Sequence, residues 1–322
     1  MKRFFSADDV TDIAALVNDA IAIKKFPMLN NDLGRGKTLG LVFLNSSLRT
    51  RLSTQKAAQN LGLNTIVLNA AQEAWTWEFE DGAIMNGSTV EHIKDAANTL
   101  SQYCDIIGLR CFAGLTNKAE DTSEKIFSLF EKYASVPVIS LESATLHPLQ
   151  SLADCITIAE HLPYDKKPKV VLTWAPHIKP IPQAVGNSFA QWMNKMDFEF
   201  VITHPKGYEL DTQFTQKATI EHNQQMALQD ADFVYVKNWS SFENYGQVVP
   251  VNEDWLLTNK KLEVTNNAKI MHCLPVRRNV EVSDEVLDSK NALIYEQANN
   301  RTFAAQVILE KIINENGKVK HH

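Results

Sequence analysis

The chain has 322 residues, of which 44% are apolar and 22% charged, close to the average of globular proteins. This length predicts two domains, each with its own core, and the composition excludes a disordered chain, a fibrous repeat and a disulfide-stapled miniprotein. The formal charge is −6, and Lys and Arg are scattered along the chain. The sequence therefore shows no basic cluster that would bind nucleic acid or an anionic membrane. We therefore expect a small-molecule partner.

The cysteines and the N-terminus indicate a cytoplasmic protein. Cys104, Cys111, Cys155 and Cys273 lie far apart, without the spacing of a metal site or a disulfide framework. No run approaches 18 apolar residues, and the N-terminus turns acidic at once, without an apolar signal core. We expect reduced thiols, no bound metal and no membrane partner.

Short apolar runs alternate with longer amphipathic stretches along the chain. The runs are continuously apolar and rich in β-branched residues, which is typical of parallel strands covered on both faces. Eight strands are predicted, at residues 39–44, 64–68, 105–109, 136–140, 169–174, 199–203, 232–236 and 269–273. Helices are predicted at residues 47–61, 91–103, 123–133, 149–161, 183–194, 223–228 and 302–314. This order predicts an α/β fold with two doubly wound parallel-sheet domains.

A polar, proline-marked segment at residues 162–168 separates two sets of four strands. We predict a first domain over residues 1–146 and a second over residues 147–299, joined by interdomain helices. A C-terminal helix at about 300–315 would pack back on the first domain. Because ligands of such sheets bind beyond the carboxyl ends of the strands, we expect the active site in the cleft between the domains.

Two nucleotide-binding motifs can be set aside. The segment Gly34-Arg35-Gly36-Lys37-Thr38 is similar to the end of a P-loop, but Asn31 stands where the first glycine belongs. The segment also leads into a strand rather than a helix. The dinucleotide fingerprint GxGxxG is absent from a chain with only 12 glycines, which disfavours hydride transfer. No cofactor is expected.

A turn of hydroxyl residues follows the first predicted strand, as Asn45-Ser46-Ser47-Leu48-Arg49-Thr50-Arg51. Free backbone N–H groups at the start of the helix, the hydroxyls of Ser47 and Thr50 and the guanidinium of Arg49 can together hold a phosphate. By itself the same pattern also fits an ordinary helix N-cap with surface arginines.

Three further segments place polar residues at the ends of strands or helices. Arg110 ends a predicted strand, and His147-Pro148-Leu149-Gln150 opens a helix, so that His147 and Gln150 can face the same helix end. His272-Cys273-Leu274-Pro275 ends the last strand, where the proline leaves carbonyls free to accept a ligand's N–H groups. A single histidine is more often a core residue, but together these segments favour a ligand site.

These motifs resemble those of the aspartate/ornithine transcarbamylase family, in the family's order and spacing over nearly the whole chain. Ser47-Leu48-Arg49-Thr50-Arg51 is similar to the carbamoyl-phosphate motif, with Leu48 where the family usually has threonine. His147-Pro148-Leu149-Gln150 resembles the HPxQ motif, and His272-Cys273-Leu274-Pro275 resembles the HCLP motif of the ornithine branch. The position of Leu48 offers its backbone N–H, so the change is compatible with phosphate binding.

Three segments resemble the transcarbamylases that act on N-acylated ornithine rather than on ornithine itself. They are Ala74-Trp75-Thr76-Trp77-Glu78-Phe79, Thr173-Trp174-Ala175-Pro176-His177 and Lys237-Asn238-Trp239-Ser240-Ser241. Acylation removes the α-amino charge, so the Asp that pairs with an ammonium in the ornithine enzymes is not needed. The resemblance implies transfer of the carbamoyl group from carbamoyl phosphate to the δ-amine of N-acylornithine, in arginine biosynthesis.

The resemblance also implies the residues of the site. Carbamoyl phosphate would contact Ser47, Leu48, Arg49, Thr50, Trp75, Arg110, His147, Gln150, Cys273, Leu274 and Arg301. Those expected to act in catalysis, by polarising the carbonyl oxygen or orienting the carbamoyl group, are Thr50, Arg110, His147, Cys273 and Arg301. N-acylornithine would contact Val90, Glu142, His177, Lys237 and Arg277. Lys237 and Arg277 would otherwise be solvated surface cations, and Trp75 a core residue.

The acyl group is predicted from Val90. In the N-acetylornithine enzymes a glutamate occupies this position, and its charge would repel a succinate tail. An apolar residue, typically proline, occupies it in the succinyl enzymes, so Val90 favours N-succinyl-L-ornithine, with N-acetyl-L-ornithine as the alternative. The products would be N-succinyl-L-citrulline and phosphate.

The family further implies a homotrimer in which Trp75 reaches the active site of a neighbouring subunit. A non-catalytic protein of the same fold that binds a phosphate ligand is the remaining alternative. It would keep the phosphate-binding arginines but would not turn over carbamoyl phosphate.

Overall fold

Two five-stranded sheets, each with all its strands parallel, form the core of the computed structural model, which describes residues 1, 3–162 and 167–317. The first sheet has the order β1-β7-β6-β2-β3 and the second the order β10-β9-β8-β11-β12; β4 and β5 pair separately. The strands are β1 Arg3–Phe4, β2 Thr38–Phe43, β3 Asn64–Asn69, β4 Trp77–Glu78, β5 Glu91–His92, β6 Ile106–Arg110, β7 Val138–Glu142, β8 Lys169–Trp174, β9 Glu199–Thr203, β10 Thr219–Glu221, β11 Phe233–Lys237 and β12 Lys269–Met271.

All eight apolar runs form strands, within a few residues of the predicted ends. Residues 39–43 and 170–174, in the middle of the two sheets, are buried, as a strand covered on both faces must be. The sequence analysis missed four strands: β4 and β5, with two residues each, and β1 and β10, which lie at sheet edges and contain two and three residues. Edge strands this short carry too few apolar residues for a periodic signal.

Helices connect the strands and cover both sheets. They are α1 Ile13–Lys25, α2 Leu48–Asn60, α3 Ala70–Glu73, α4 Ile93–Tyr103, α5 Lys118–Thr122, α6 Lys125–Tyr133, α7 Pro148–Glu160, α8 Ala184–Met193, α9 Thr212–Thr215, α10 Gln224–Leu228, α11 Asn259–Leu262, α12 Asp284–Leu287 and α13 Ile294–Gly317. A 3-10 turn spans Ala7–Asp9. None of the described helices is long and apolar enough to cross a membrane.

The C-terminal helix α13 begins at Ile294, so the predicted start near residue 300 was wrong. Its first turns bury the polar residues Gln297, Asn300 and Arg301, which interrupt the apolar periodicity that marks a helix. Helix α13 packs against α1, α2 and α7. Helices α7 and α13 therefore lie side by side between the two sheets.

The predicted division at residues 146 and 147 falls between β7 and α7 and stays a prediction. Within the predicted break at 162–168, residues 163–166 lie outside the described part of the chain.

Candidate active site

Strand register brings polar residues together at the carboxyl edge of the first sheet. In the β2–β6 pair Phe43 is the partner of Arg110, and in the β6–β7 pair Arg110 is the partner of Glu142. Nη1 of Arg110 donates to a carboxylate oxygen of Glu142, and its guanidinium lies 4.2 Å from the ring centre of Phe112. Both charged residues are buried. The first sheet thus holds a buried ion pair at its carboxyl edge.

The N-terminus of α2 lies beside this pair. The Ser47 hydroxyl accepts a hydrogen bond from the Thr50 backbone N–H at 3.3 Å, which makes Ser47 the N-cap of the helix. The backbone N–H groups of Leu48 and Arg49, in the first turn, have no carbonyl of the helix to bind. With the positive end of the helix dipole, they can hold an anion.

Thr50 connects the helix to two arginines. Its Oγ1 accepts a hydrogen bond from Arg301 Nη2 at 2.6 Å and a longer one from Arg110 Nη1 at 3.5 Å. Because both contacts use oxygen lone pairs, the hydroxyl proton remains free to be donated to a ligand. Arg301 also donates to Oε1 of Gln150, and burial lowers its pKa to about 10, which leaves it a cation at neutral pH.

His147 stands at the start of α7, immediately before Pro148. Its Nε2 lies 3.2 Å from Glu142 Oε2, so Glu142 faces both Arg110 and His147. Burial holds the pKa of His147 well below its usual range, and the nearby Arg301, Arg110 and Lys237 lower that pKa further. Burial raises the pKa of Glu142, an effect that Arg110 opposes. His147 is therefore a neutral imidazole at pH 7, able to donate one hydrogen bond.

The second sheet supplies the opposite wall. Lys237 ends β11, and its buried ammonium donates to Asn238 Oδ1 at 2.8 Å. His272 follows the neighbouring strand β12, and its Nδ1 accepts a 2.9 Å hydrogen bond from the Leu274 N–H, which shapes the turn at Cys273. Burial raises the pKa of the Cys273 thiol, which argues against a thiolate nucleophile.

These groups line a single cavity of about 640 Å³. Of the predicted site residues, it is lined by Ser47, Leu48, Arg49, Thr50, Arg110, Glu142, His147, Gln150, His177, Lys237, Cys273, Leu274 and Arg301. Among its lining residues are five cations, at positions 49, 51, 110, 237 and 301, and one carboxylate, Glu142. Although the chain is acidic overall, the cavity therefore favours a ligand with two or more negative charges.

Arg277, Trp75 and Val90 are predicted site residues outside this lining set. Arg277 is adjacent to it, since its Nε donates to His177 Nε2 at 3.1 Å. Trp75 and Val90 are 67% and 60% exposed. They lie close together, because the Val90 N–H donates to the carbonyl of the residue after Trp75 at 2.8 Å. Within one chain they do not join the cavity.

Several residues of the cavity were not among the predicted site residues. They are Phe43, Ser46, Arg51, Asn69, Phe112, Ile181, Pro182, Val185, Asn238 and Pro275. Asn238 and Asn69 lie at or directly after the ends of strands, where the sequence analysis already expected ligands, so strand-end position could have found them. Phe112 and Val185 carry no such signal.

Comparisons with known proteins place most of the chain in one family. The carbamoyl-P binding domain of the aspartate/ornithine carbamoyltransferase family matches residues 2–160, and the family's Asp/Orn binding domain matches residues 182–312. N-succinylornithine carbamoyltransferase of Bacteroides fragilis is 49% identical over 97% of this chain and 99% of its own length. N-acetylornithine carbamoyltransferase of Xanthomonas campestris is 33% identical over 98% of each chain.

A solved structure of an N-acetyl-L-ornithine transcarbamylase variant, complexed with carbamyl phosphate and N-succinyl-L-norvaline, superimposes with a TM-score of 0.88. It is 31% identical in sequence and covers 97% of this chain and 100% of its own. The family resemblance and the fold class predicted from the sequence are confirmed. The chain belongs to the aspartate/ornithine carbamoyltransferase family.

Proposed function

We propose that this chain transfers the carbamoyl group of carbamoyl phosphate to the δ-amine of N-succinyl-L-ornithine, giving N-succinyl-L-citrulline and phosphate, in cytoplasmic arginine biosynthesis. The observation that carries the proposal is a cavity lined by a helix N-terminus, five cations and a single carboxylate. The 49% identity to N-succinylornithine carbamoyltransferase supports the choice of acceptor. The buried cysteines, which form no disulfide in the described chain, are compatible with a reducing compartment.

The phosphate would bind at the N-terminus of α2. The backbone N–H groups of Leu48 and Arg49, the hydroxyls of Ser47 and Thr50 and the Arg49 guanidinium would share its charge. Arg301, which donates to the Thr50 hydroxyl and to Gln150, would orient the carbamoyl group beside this phosphate. This array holds the phosphate in the ground state and also as it departs.

The carbamoyl carbonyl would lie between Arg110 and His147. Charge develops on its oxygen as the δ-amine attacks the carbon, and donors fixed before the reaction stabilise that charge. The free Thr50 proton can supply a further hydrogen bond. Gln150 Oε1 and the carbonyls around Cys273 and Leu274 would accept the N–H groups of the carbamoyl group. The C–O bond to phosphate then breaks, and the departing phosphate takes the proton from the amine.

The acylornithine would lie toward the second sheet. Lys237 offers a buried cation, and Arg277 reaches the same rim through its bond to His177. These cations suit the α-carboxylate and the second carboxylate of a succinyl group. Glu142 would approach the δ-amine, and because it already faces Arg110 and His147, the amine would attack close to the polarised carbonyl.

We further propose a homotrimer in which Trp75, just before β4, and Val90, just before β5, enter the cavity of the next subunit. Two neighbouring large apolar side chains, both more than half exposed, are expected where another surface covers them. Trp75 would contact the phosphate, and Val90 the acyl chain. We keep the division into a carbamoyl-phosphate domain at residues 1–146 and an acylornithine domain at residues 147–299, supported by the separate sheets.

The first test measures citrulline-type product from carbamoyl phosphate with ornithine, N-acetyl-L-ornithine or N-succinyl-L-ornithine. We expect turnover with the succinyl substrate alone. Turnover with the acetyl substrate alone would keep the reaction but overturn the assigned acceptor. Binding of carbamoyl phosphate without any turnover would indicate the non-catalytic alternative.

The second test replaces Val90 by glutamate. A carboxylate facing the succinyl tail costs several kcal/mol when both charges lose water, so we expect V90E to prefer N-acetyl-L-ornithine. The matched control is Val248→Glu, at another exposed valine outside the proposed site, which should keep the succinyl preference. An unchanged preference in V90E would refute the role of Val90.

A further inference from the structure

A buried carboxylate lies behind the active site, on the face of α7 that meets α13. Asp154 is fully buried, and its Oδ1 accepts two hydrogen bonds. One comes from Gln150 Nε2 at 2.7 Å, and the other from Gln297 Nε2, also at 2.7 Å. A single carboxylate oxygen therefore joins two side-chain amides, one on each of the helices between the sheets.

The opposite ends of the two amides point to different walls of the cavity. Gln150 Oε1 lines the cavity and accepts a hydrogen bond from Arg301. Gln297 Oε1 accepts the backbone N–H of His272 at 2.9 Å, directly before the turn at Cys273. Asp154 is thus one side chain away from Arg301, which would orient the carbamoyl group, and from the turn that offers carbonyls to the same group.

The carboxylate decides which way each amide is oriented. If Gln150 turned over, its oxygen would face Asp154 Oδ1 and its amino group would face the Arg301 guanidinium, so that two acceptors and two donors would oppose each other. The same reversal of Gln297 would leave the His272 N–H without an acceptor. In a buried setting each mismatch is costly, and so both amides have one favourable orientation.

We propose that Asp154 is a positioning residue for carbamoyl recognition, which holds Gln150 and Gln297 so that their oxygens face the cavity and its HCLP turn. This inference rests on the proposed carbamoyl transfer. Asp154 does not contact the substrate; it acts through the two amides. The phosphate is held by the N-terminus of α2, which Asp154 does not touch, so its loss affects recognition of the carbamoyl group rather than of the phosphate.

The test compares Asp154→Leu, which fills the space but accepts no hydrogen bond, with Asp154→Asn, whose oxygen can still accept both. The matched control is Thr157→Val. Thr157 lies one turn further along α7, is buried, and bonds Asn300 of α13 at 3.0 Å without lining the cavity. Calorimetry measures the affinity of each variant for carbamoyl phosphate and for inorganic phosphate, and kinetics measures kcat/KM for carbamoyl phosphate.

For D154L we expect kcat/KM and the affinity for carbamoyl phosphate to fall by about tenfold to a hundredfold, because the amide that orients the substrate is misplaced. The affinity for inorganic phosphate should stay within about twofold, since its binding groups are unchanged. D154N should recover most of the loss, and T157V should resemble the unmodified protein. If D154L does not accumulate in folded form, Asp154→Ser is used with the same expectation.

Three results would overturn the proposal: equal weakening of phosphate and carbamoyl phosphate, a loss in D154N as large as in D154L, or an equal loss in T157V. Each would indicate a general effect on packing or charge. Absence of turnover in the unmodified protein would refute the proposed function instead. In that case the ratio of the two affinities would still decide the role of Asp154.

Discussion

The buried carboxyl of Asp154 makes a prediction about stability that is separate from its role in recognition. Burial raises its pKa from 3.8 to about 7, against the opposing hydrogen bonds from Gln150 and Gln297. A carboxyl whose pKa is higher in the folded than in the unfolded protein stabilises the folded state at pH values below its pKa in the unfolded protein. This contribution to stability is lost as the pH rises through its pKa in the folded protein. We therefore expect Asp154→Asn, which cannot ionise, to gain stability over the unmodified protein as the pH rises.

The size of the effect follows from the two pKa values. A difference of about three pKa units corresponds to about 4 kcal/mol of unfolding free energy once the carboxyl is ionised in both states. At pH 8.5 nearly all of this loss of unfolding free energy is present, whereas at pH 5 the loss is only about 2 kcal/mol. The free-energy difference between D154N and the unmodified protein should therefore shift by about 2–3 kcal/mol in favour of D154N between these two pH values.

Thermal unfolding at pH 5 and pH 8.5 measures this shift. The other titrating groups are the same in both proteins, so their contributions cancel in the difference between the two melting temperatures. That difference should grow by roughly 5 °C or more in favour of D154N from the lower to the higher pH. Thr157→Val, which removes a buried hydroxyl but no titrating group, should show a difference that does not depend on pH. A pH-independent difference for D154N would refute the reasoning.

Two further predictions concern the pair of Arg110 and Glu142 and the contact between Gly246 and Leu115. Arg110→Gln removes the cation that faces Glu142, and kcat should fall by about 10²–10³. The control, Arg278→Gln, changes an exposed arginine bound to two carboxylates and should leave steady-state kinetics unchanged. An unaltered kcat in R110Q would contradict the role proposed for Arg110. Gly246→Ala would put a β-carbon 2.1 Å from the backbone oxygen of Leu115 at a φ of +71°. The melting temperature should therefore fall more than in Gly82→Ala, where the φ is +77° but the space is open. Equal losses would show that this contact contributes nothing.

Most of the fold could be predicted because the central strands of parallel sheets are continuously apolar. The strands on either side of Arg110 and Lys237 carry this signal in full. The edge strands β1 and β10 do not, since they contain only two and three residues. The first turns of α13 were missed for a different reason. Its residues Gln297 and Arg301 are polar yet buried, because they bond polar side chains of α7 and α2 rather than water.

The site could be predicted in so far as it follows strand and helix ends, which periodicity locates. Arg110, His147 and Cys273 each occupy such an end, and the structure gathers all three in one cavity. What could not be predicted is the orientation of the groups around them. The bond between Arg110 and Glu142 depends on the register of two strands, and Asp154 acquires its importance only when α7 and α13 meet. Such contacts depend on tertiary packing, which local sequence patterns do not reveal.

The charge of the cavity illustrates the same limit and explains how an acidic chain can bind a highly anionic ligand. The cations of the cavity come from separate segments, none of which is a basic run. Arg301 donates to neutral side chains, and Lys237 donates to the amide oxygen of Asn238, so their charges are solvated by the protein without being cancelled. Arg110 alone among these three faces a carboxylate, that of Glu142. Neutral acceptors thus keep the field positive where a phosphate would bind, and the net charge of −6 is carried elsewhere.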